Sequence, residues 1–445
     1  MCLALRGYMG LVHIFKWILL MKILHTSDWH LGQHFMGKSR RDEHRAFIDW
    51  LLALVDSESI NAVIIAGDVF DTGSPPSYAR EMYHQLVLDM KARQCQLVIV
   101  AGNHDSVSML NESKSLLSYL ETQVSSQANL EDLDSHVIAL NDKAGEVSAW
   151  VCAVPYLRPK DVMKSVSGQS EQDKKLGLLQ HIGDFYQQVY ELACEKNKAL
   201  KRAVPIIGTG HLTAMGGQVS ESVRDLYVGT LEALPTSVFP HFDYLALGHI
   251  HRAQAITKDG RFRYSGSPIP LSFDELGREK SLVIIDTTLL GEQPQVQDLF
   301  DERQEAIRCH TIPSFQPMQS LNGNLKDILK RIEALSLTEL NAQNQTLWLE
   351  VTVVADEYLS DLHKRLLEAI EGKPIELLRV MRKSAADTKK VDFESRQTLS
   401  ELTVKDVFDK SLQSNEGIDE EERVILTNLF NQCLIEMEDS QEQPA

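Results

Sequence analysis

Short apolar runs recur along the chain, and each one ends abruptly in polar side chains. Five of these runs read KILHT, AVIIA, QLVIV, PIIGTGH and YLALG, and their aliphatic and β-branched residues are typical of strands buried on both faces. Residues 43–55 and 78–92 lie between the first three runs and have the spacing of amphipathic helices. Strands that alternate with helices predict a layered α/β domain.

The polar residues that follow the five strands are of a restricted kind. They are aspartate, asparagine and histidine: Asp28, His30, Asp68, Asp71, Asn103, His104, Asp105, His211, His249 and His251. Any one of them could be an ordinary turn or helix-capping residue. In layered α/β sheets, however, ligands bind just beyond the carboxyl ends of the strands. Five strands with the same kind of ending therefore predict one shared site.

Two aspartates, one asparagine and four histidines provide oxygen and imidazole ligands without any thiolate. This set suits Mn²⁺, Fe or Zn²⁺ and disfavours a purely structural zinc site, which would draw on cysteine. Seven ligands are too many for one metal with an open position, so they predict two metals about 3.5–4 Å apart that share a carboxylate. Glycines beside the ligands, such as Gly67 and Gly102, let the backbone approach closely.

The pattern changes beyond about residue 300, where no further strand ends in such residues. TLWLEVTVV alternates apolar positions and predicts a half-exposed strand. SDLHKRLLEAIEG predicts a helix that stops at Gly372, and PIELLRVMRK predicts another strand. The unit is thus a small α+β domain. Its basic residues are either candidate phosphate contacts or ordinary solvated positions: Lys364, Arg365, Arg379, Arg382 and Lys383.

The C-terminal segment, residues 391–445, is acidic and helical in pattern. TVKD at 403–406 has the form of a capping box. Further on, one helical face is apolar, with members Leu426, Leu429, Phe430, Cys433, Leu434 and Met437. Such a helix either packs on its own domain or docks on a partner helix, and the pattern does not choose between them.

Composition and charge leave nucleic acid open as a partner. The 445 residues suffice for two or three domains, and the formal net charge is −18. The last 55 residues hold 14 acidic and 4 basic residues, so much of the negative charge lies in that segment. The six cysteines are scattered and none forms a CxxC pair, which favours a reducing cytoplasm.

The first twenty residues do not fit a transmembrane helix or a signal peptide. Their apolar part contains His13 and Lys16, is too short to span a bilayer, and lacks a small-residue cleavage site. Met21 begins a clean strand. We therefore expect residues 1–20 to be a non-native upstream extension, with a membrane-proximal anchor as the alternative.

The order D-x-H, G-D-x-x-D, G-N-H-D, G-H, G-H-x-H resembles the calcineurin-like metallophosphoesterase superfamily. ILHTSDWHLGQ, AGDVFDTGSPPSYAR, AGNHDSV, GTGHLT, LALGHIHRAQ and YSGSPIPLSFDE narrow the resemblance to the SbcD family, the nuclease subunits of bacterial SbcCD complexes. The resemblance covers nearly the whole chain from Met21. It implies a layered metallophosphoesterase β-sandwich flanked by helices, a small α+β capping domain and C-terminal helices.

The resemblance also implies a role for each motif residue. The first metal would be bound by Asp28, His30 and His251. The second metal would be bound by Asn103, His211 and His249, and Asp68 would bridge the two metals. His104 would face the scissile phosphate as the catalytic residue and bind no metal. Asp105 would orient His104, or would be a simple turn carboxylate. Many archaeal and eukaryotic relatives have a histidine linked to exonuclease action at the position of Asp71, so we assign Asp71 no catalytic role.

By the same resemblance, the domains are the nuclease at 21–300, the capping domain for DNA at 301–390, and a tail at 391–445 that docks on the partner ATPase. The implied function is a Mn²⁺-dependent DNA nuclease that acts with SbcC, an SMC-like ABC ATPase, in replication, recombination and repair. It would be an ATP-dependent double-strand exonuclease and a single-strand endonuclease that opens hairpins. Helices around residues 75–94 would form a homodimer within a heterotetramer, although the apolar face of Met82, Leu86 and Met90 could simply pack on the sheet.

Two other functions are compatible with the residues. A phosphomonoesterase or phosphodiesterase on the same core would need the metal ligands but not residues 300–445. A non-catalytic scaffold could keep the fold, although all seven ligand positions are intact.

Overall fold

The computed structural model describes residues 21–162, 171–218, 220, 223, 233–290, 306–335, 340, 345–354 and 361–383. The predicted extension at 1–20, the capping box at 403–406 and the apolar face at 426–437 lie outside these residues. In the described part of the chain, no helix is long and apolar enough to cross a membrane.

Two six-stranded sheets form the centre of the fold. The first has the order β14-β13-β1-β4-β5-β6, and its strands β1, β4, β5 and β6 are parallel. Its strands are β1 (Lys22–Thr26), β4 (Ala62–Ala66), β5 (Gln96–Val100), β6 (Thr122–Ser125), β13 (Ser281–Asp286) and β14 (Ile307–Thr311). The second has the order β11-β12-β10-β9-β8-β7. Its strands are β7 (Val137–Asn141), β8 (Val147–Cys152), β9 (Ile206–His211), β10 (Tyr244–Gly248), β11 (Gln254–Ala255) and β12 (Phe262–Tyr264).

The two sheets pack face to face and are covered by helices on their outer sides. Alternate residues of β1, β4 and β9, such as Ile23, Ile64 and Ile207, fill the core between the sheets. Their neighbours along the strand point outward and are buried under helices, which explains why these strands are apolar throughout. The predicted layered α/β sandwich is therefore confirmed.

Helices cover both outer faces, and the two that the sequence predicts, at 43–55 and 78–92, have nearly those bounds. The first sheet is covered by α1 and α2, and α6 covers the second. The helices of this part are α1 (Arg41–Glu58), α2 (Ser77–Ala92), α3 (Val107–Asn111), α4 (Lys114–Tyr119), α5 (Pro159–Val162), α6 (Glu171–Lys198) and α7 (Thr287–Leu290). Met82, Leu86 and Met90 of α2 are buried under the first sheet, as one of the two alternatives for that face predicts.

A third, parallel sheet follows, with the order β15-β16-β17. It consists of β15 (Met318–Gly323), β16 (Leu347–Val354) and β17 (Ile375–Lys383), and it carries α8 (Leu325–Glu333) and α9 (Leu362–Ile370). The prediction that β16 is half exposed is wrong, because its residues 347–353 are all buried. This strand is central in its sheet, and Trp348 on its second face packs against Phe35 and Phe273.

The change from the first to the third sheet falls between Thr311 and Met318. Strand β14 lies within the range predicted for the capping domain, yet it pairs antiparallel with β13 of the first sheet. The chain then enters β15 of the third sheet.

A short hairpin, β2 (His34–Phe35) with β3 (Lys38–Ser39), joins the third sheet to the first part of the chain. Phe35 stacks on Trp348 with ring centroids 5.8 Å apart. Beside the hairpin, the buried guanidinium of Arg40 pairs with Glu43, donates to the carbonyl of Pro270, and lies over the rings of Phe35 and Trp348. Arg40 thus connects three segments that are far apart in sequence.

We predict that Arg40→Met lowers the free energy of unfolding by about 3–5 kcal/mol, because Glu43 then keeps a buried charge without its partner. Arg40→Met combined with Glu43→Gln should recover part of the loss. Urea unfolding of the full-length protein measures the effect. Arg41→Met, at the exposed neighbouring position, is the control and should change the free energy by less than about 1 kcal/mol. Equal effects of Arg40→Met and Arg41→Met would contradict this account.

Candidate metal centre

The polar ends of five strands meet at one edge of the sandwich. Strands β1, β4 and β5 are parallel neighbours, and β9 and β10 are parallel neighbours in the facing sheet. Contacts across the two sheets bring their ends together: the amide of His249 donates to Asp28 Oδ1 at 2.8 Å, and His211 Nδ1 lies 3.0 Å from the carbonyl oxygen of Ala66. All eight residues predicted for the site lie in this one cluster.

Four of the predicted ligands have left-handed backbone conformations. Their φ angles are +55° at Asp28, +49° at His30, +51° at Asp68 and +96° at His249. Each such residue costs about 1–3 kcal/mol and persists only where the surroundings enforce it, commonly at functional sites. The unusual conformations thus coincide with four of the predicted ligands.

Asp68 occupies the centre of the cluster. Its Oδ1 accepts a hydrogen bond from the amide of His104 at 2.9 Å. Its Oδ2 lies 3.2 Å from Nε2 of His211, 3.6 Å from Nε2 of His30 and 4.0 Å from Nε2 of His104. One carboxylate oxygen therefore faces three imidazole rings, which is consistent with the bridging role that the resemblance implies.

Glycines make the close approach to Asp68 feasible. A Cβ atom on Gly102 would lie 2.1 Å from Asp68 Oδ1, and one on Gly248 would lie 1.9 Å from the carbonyl oxygen of Ala66. Real Cβ atoms do not come this close, so any larger residue would push the loops apart. The role that the sequence predicts for glycines beside the ligands is consistent with this packing.

His211 shows how the cluster is balanced without a metal. Burial disfavours the charged ring, but the carboxylates of Asp68 and Asp28 outweigh burial and raise the pKa of His211 to about 9. Conversely, burial opposes the charge of Asp68, yet the rings of His211, His30 and His104 hold the pKa of that carboxyl well below its usual range. The carboxylates thus favour positive charge between them, which a bound metal ion would supply.

Two buried ring nitrogens fit the metal ligands that the sequence predicts. Within the described residues, Nε2 of His30 and Nε2 of His249 are buried and have no hydrogen-bond partner. Burial and then the positive charge of His211 lower the pKa of His249 well below its ordinary value, so its ring is a neutral donor. An unpaired buried nitrogen is costly, and a metal ion beside the carboxylates would satisfy it.

The ligand atoms lie close enough together to share ions. In three groups, the candidate ligand atoms all lie within 4.8 Å of one another: Asp28, His30 and His251; Asp28, Asp68 and His211; and His30, Asp68 and His104. The first group is the set predicted for one metal. Asn103 joins the second through its Oδ1, which lies 2.9 Å from His211 Nε2. The oxygen and imidazole donors suit divalent ions of the Mn²⁺ or Zn²⁺ kind.

The rings of His30 and His104 are both held by Asp71. Its Oδ1 lies 3.1 Å from Nδ1 of His30, and its backbone carbonyl oxygen lies 2.7 Å from Nδ1 of His104. Because Nδ1 of each ring faces Asp71, Nε2 of each ring faces Asp68 Oδ2, at 3.6 Å for His30 and 4.0 Å for His104. Sequence reasoning assigned Asp71 no catalytic role, and it did not foresee this supporting one.

The carboxylate of Asp105 bonds the backbone. Its carboxylate accepts three backbone hydrogen bonds, from the amides of Gly102 (2.8 Å), Phe70 (3.0 Å) and Val69 (3.2 Å). It therefore ties the loop that carries Asp68 to the loop that carries His104. Burial, followed by the charge of Asp68, raises the pKa of Asp105 to about 6 against these three donors. These contacts favour the interpretation of Asp105 as a turn carboxylate, and they show that it connects two turns.

Two family models match the chain. The calcineurin-like phosphoesterase family model matches residues 21–253, and the model described as type 5 capsule protein repressor C-terminal domain (SbcD_C) matches residues 314–416. Among solved structures, a β-glucosidase from Micrococcus antarcticus aligns at 12% identity, and the alignment covers 77% of this chain and 78% of the β-glucosidase chain. Its TM-score of 0.19 is too low to indicate a common fold.

Relatives similar along nearly the whole chain are named as the SbcD component of the SbcCD nuclease. The Escherichia coli K12 protein is 42% identical over 414 residues, which is 93% of this chain and 98% of that one. The Rhodobacter capsulatus protein is 33% identical, and the match covers 80% of this chain and 86% of that protein. The Bacillus subtilis protein is 28% identical, and the match covers 91% of this chain and 96% of that protein. The chain belongs to the SbcD family of nucleases, within the calcineurin-like phosphoesterases.

Proposed function

We propose that this chain is the nuclease subunit of an SbcCD-type complex and hydrolyses DNA phosphodiesters at a two-metal centre. It would act with an SMC-like ABC ATPase, SbcC, as an ATP-dependent double-strand exonuclease and as a single-strand endonuclease that opens hairpins. Its place would be in DNA replication, recombination and repair. The observation that carries the proposal is the position of Asp68 Oδ2, which faces the Nε2 atoms of His30, His104 and His211.

The residues divide into two metal sets and one catalytic group. The first ion would be held by Asp28, His30 and His251. The second ion would be held by Asn103, His211 and His249, and Asp68 would bind both ions. Two divalent ions, with Mn²⁺ as the proposed metal, supply an activated water and neutralise the charge of the phosphate when they are bound.

His104 would act on the phosphate itself. Its Nδ1 is held by the carbonyl of Asp71, so Nε2 faces the cluster at 4.0 Å from Asp68 Oδ2. A ring in this position donates a hydrogen bond to a phosphate oxygen or passes a proton to the leaving oxygen. The main-chain amide of His104 donates a hydrogen bond to Asp68 Oδ1, which fixes the position of the His104 ring relative to the proposed bridging carboxylate.

The parts around the site suit a polymeric substrate and protein partners. We propose a nuclease domain that ends near residue 311, a capping domain that begins near residue 318 and holds DNA, and an acidic tail at 391–445 that docks on SbcC. Candidate DNA contacts on the capping domain include Lys364, whose side chain is 79% exposed, and Arg365.

A homodimer within a heterotetramer is proposed on the face of α2 to α4. Leu88, Leu116 and Tyr119 are large apolar residues there that are 50%, 63% and 83% exposed. The cytoplasm is the proposed location. Cys95 and Cys152 are buried as free thiols, consistent with a reducing compartment.

Cleavage of a labelled DNA hairpin by the purified chain with Mn²⁺, its ATPase partner and ATP tests the proposed function. We expect opening of the hairpin, and only weak turnover of p-nitrophenyl phosphate as a generic phosphomonoester. Rapid monoester turnover with intact hairpins would instead support a phosphomonoesterase. No turnover of either substrate, together with near-zero bound metal, would support a scaffold.

We predict that His104→Gln lowers hairpin cleavage about 10²- to 10⁴-fold, because glutamine cannot transfer a proton. Mn²⁺ binding should stay at two ions per chain, since His104 is not a proposed ligand. Single-turnover cleavage and Mn²⁺ titration measure the two effects, with His241→Gln, at an exposed position of the second sheet's loops, as control. Loss of a bound ion in His104→Gln would mean that His104 is a ligand.

We predict that Mn²⁺ binding releases protons and weakens as the pH falls. Below pH 9 the metal-free protein holds a proton on His211, and an ion must displace it, so the apparent affinity should fall by up to about tenfold per pH unit from pH 9 to pH 7. Calorimetric titrations in two buffers of different ionisation enthalpy count the protons. His211→Asn should reduce the number released. An affinity independent of pH over this range would refute the prediction.

A further inference from the structure

Glu275 contacts the ring of the predicted ligand His251. Its Oε1 lies 3.3 Å from His251 Nδ1, and the carboxylate is almost fully buried, with 1% of the side chain exposed. The residue belongs to the short 3₁₀ turn Phe273–Glu275, which no ligand pattern in the sequence marked. A buried carboxylate on the ring of a ligand histidine requires an explanation.

Glu275 is itself held firmly in place. The ammonium nitrogen of Lys280 lies 2.5 Å from its Oε2 and supplies the counter-charge. Further donors lie within hydrogen-bond distance: the hydroxyls of Ser220 and Ser272 at Oε1, and the amide of Leu271 at Oε2. The carboxylate therefore has a single orientation, with Oε1 toward His251.

Lys280 also fixes the backbone of His251. Its Nζ donates to the carbonyl oxygen of His251 at 3.1 Å, and the amide of Ser267 donates to the same oxygen at 3.2 Å. The Glu275–Lys280 pair thus holds both the ring and the main chain of this one residue. A pair that only stabilised the loop would not need to contact the imidazole.

The opposite side of the turn is packed as well. Phe273 lies against Phe35, with ring centroids 5.2 Å apart, in the apolar cluster that includes Trp348 of the third sheet. The turn is therefore buried between His251 and the third sheet, so Glu275 cannot move away from the ring without disturbing that packing.

We propose that Glu275 is a positioning residue for His251. It accepts a hydrogen bond from Nδ1 and so makes Nε2 the nitrogen that would bind the first metal ion together with Asp28 and His30. Carboxylates that accept from the second nitrogen of a ligand histidine fix its tautomer and raise its basicity, and their loss typically weakens metal binding about 10- to 100-fold. The inference rests on the proposed function, because it assigns Glu275 to the same two-ion site.

Titration of the full-length protein with Mn²⁺ tests the proposal. Electron paramagnetic resonance measures the concentration of the free ion at each step of the titration. The unchanged protein should bind two ions. Glu275→Gln should weaken one of them about 10- to 100-fold and leave the other unaffected. The control is Glu350→Gln, a buried carboxylate of the third sheet that bonds Ser320 and Arg379, and it should bind both ions normally.

A double-mutant cycle separates positioning from a general loss of structure. In a His251→Asn background, Glu275→Gln should cause no further loss of Mn²⁺ affinity, because its effect passes through the missing ring. If Glu275→Gln does not fold, Glu275→Gln with Lys280→Met removes both buried charges and should show the same weakened site.

The outcomes distinguish the proposal from the proposed function. Normal binding of two ions by Glu275→Gln, or an additional loss of affinity in the His251→Asn background, would overturn the role of Glu275 and leave the metal centre standing. Failure of the unchanged protein to bind Mn²⁺ would overturn both.

Discussion

The burial of two carboxylates side by side is the constraint on which the rest of this site depends. Asp28 and Asp68 follow adjacent parallel strands, are 0% and 1% exposed, and have ligand atoms within 4.8 Å of each other and of His211. Like charges so deep in a protein need positive charge between them. The two carboxylates outweigh burial and raise the pKa of His211 to about 9, and the divalent ions that the family chemistry implies would also supply positive charge between them.

Four of the five histidines of the centre contact a partner outside the ligand set through Nδ1. His211 bonds the carbonyl of Ala66, His30 and His104 bond Asp71, and His251 bonds Glu275. Asp105 ties two of the ligand loops together through three backbone amides. These partners let strained, left-handed turns hold their side chains in one arrangement, so that substrate meets a site that needs little reorganisation.

The sequence predicts the strands and the residues at their ends because both leave local signals. An apolar run that ends in Asp or His is visible in a few residues, and all five strands occur where the pattern places them. Asp105 and Glu275 were harder to interpret because their roles depend on contacts between loops remote along the chain. The misjudged exposure of β16 has a similar cause: alternating apolar residues cannot reveal that Trp348 and Glu350, on the other face, are covered by Phe35 and by neighbouring strands.

The account requires that one carboxylate is shared by two ions. Anomalous X-ray diffraction from crystals of the Mn²⁺-loaded protein tests this most directly. It should show two peaks about 3.5–4 Å apart with Asp68 between them, one beside Asp28, His30 and His251 and the other beside Asn103, His211 and His249. A single peak, or a second peak with no contact to Asp68, would contradict the shared centre.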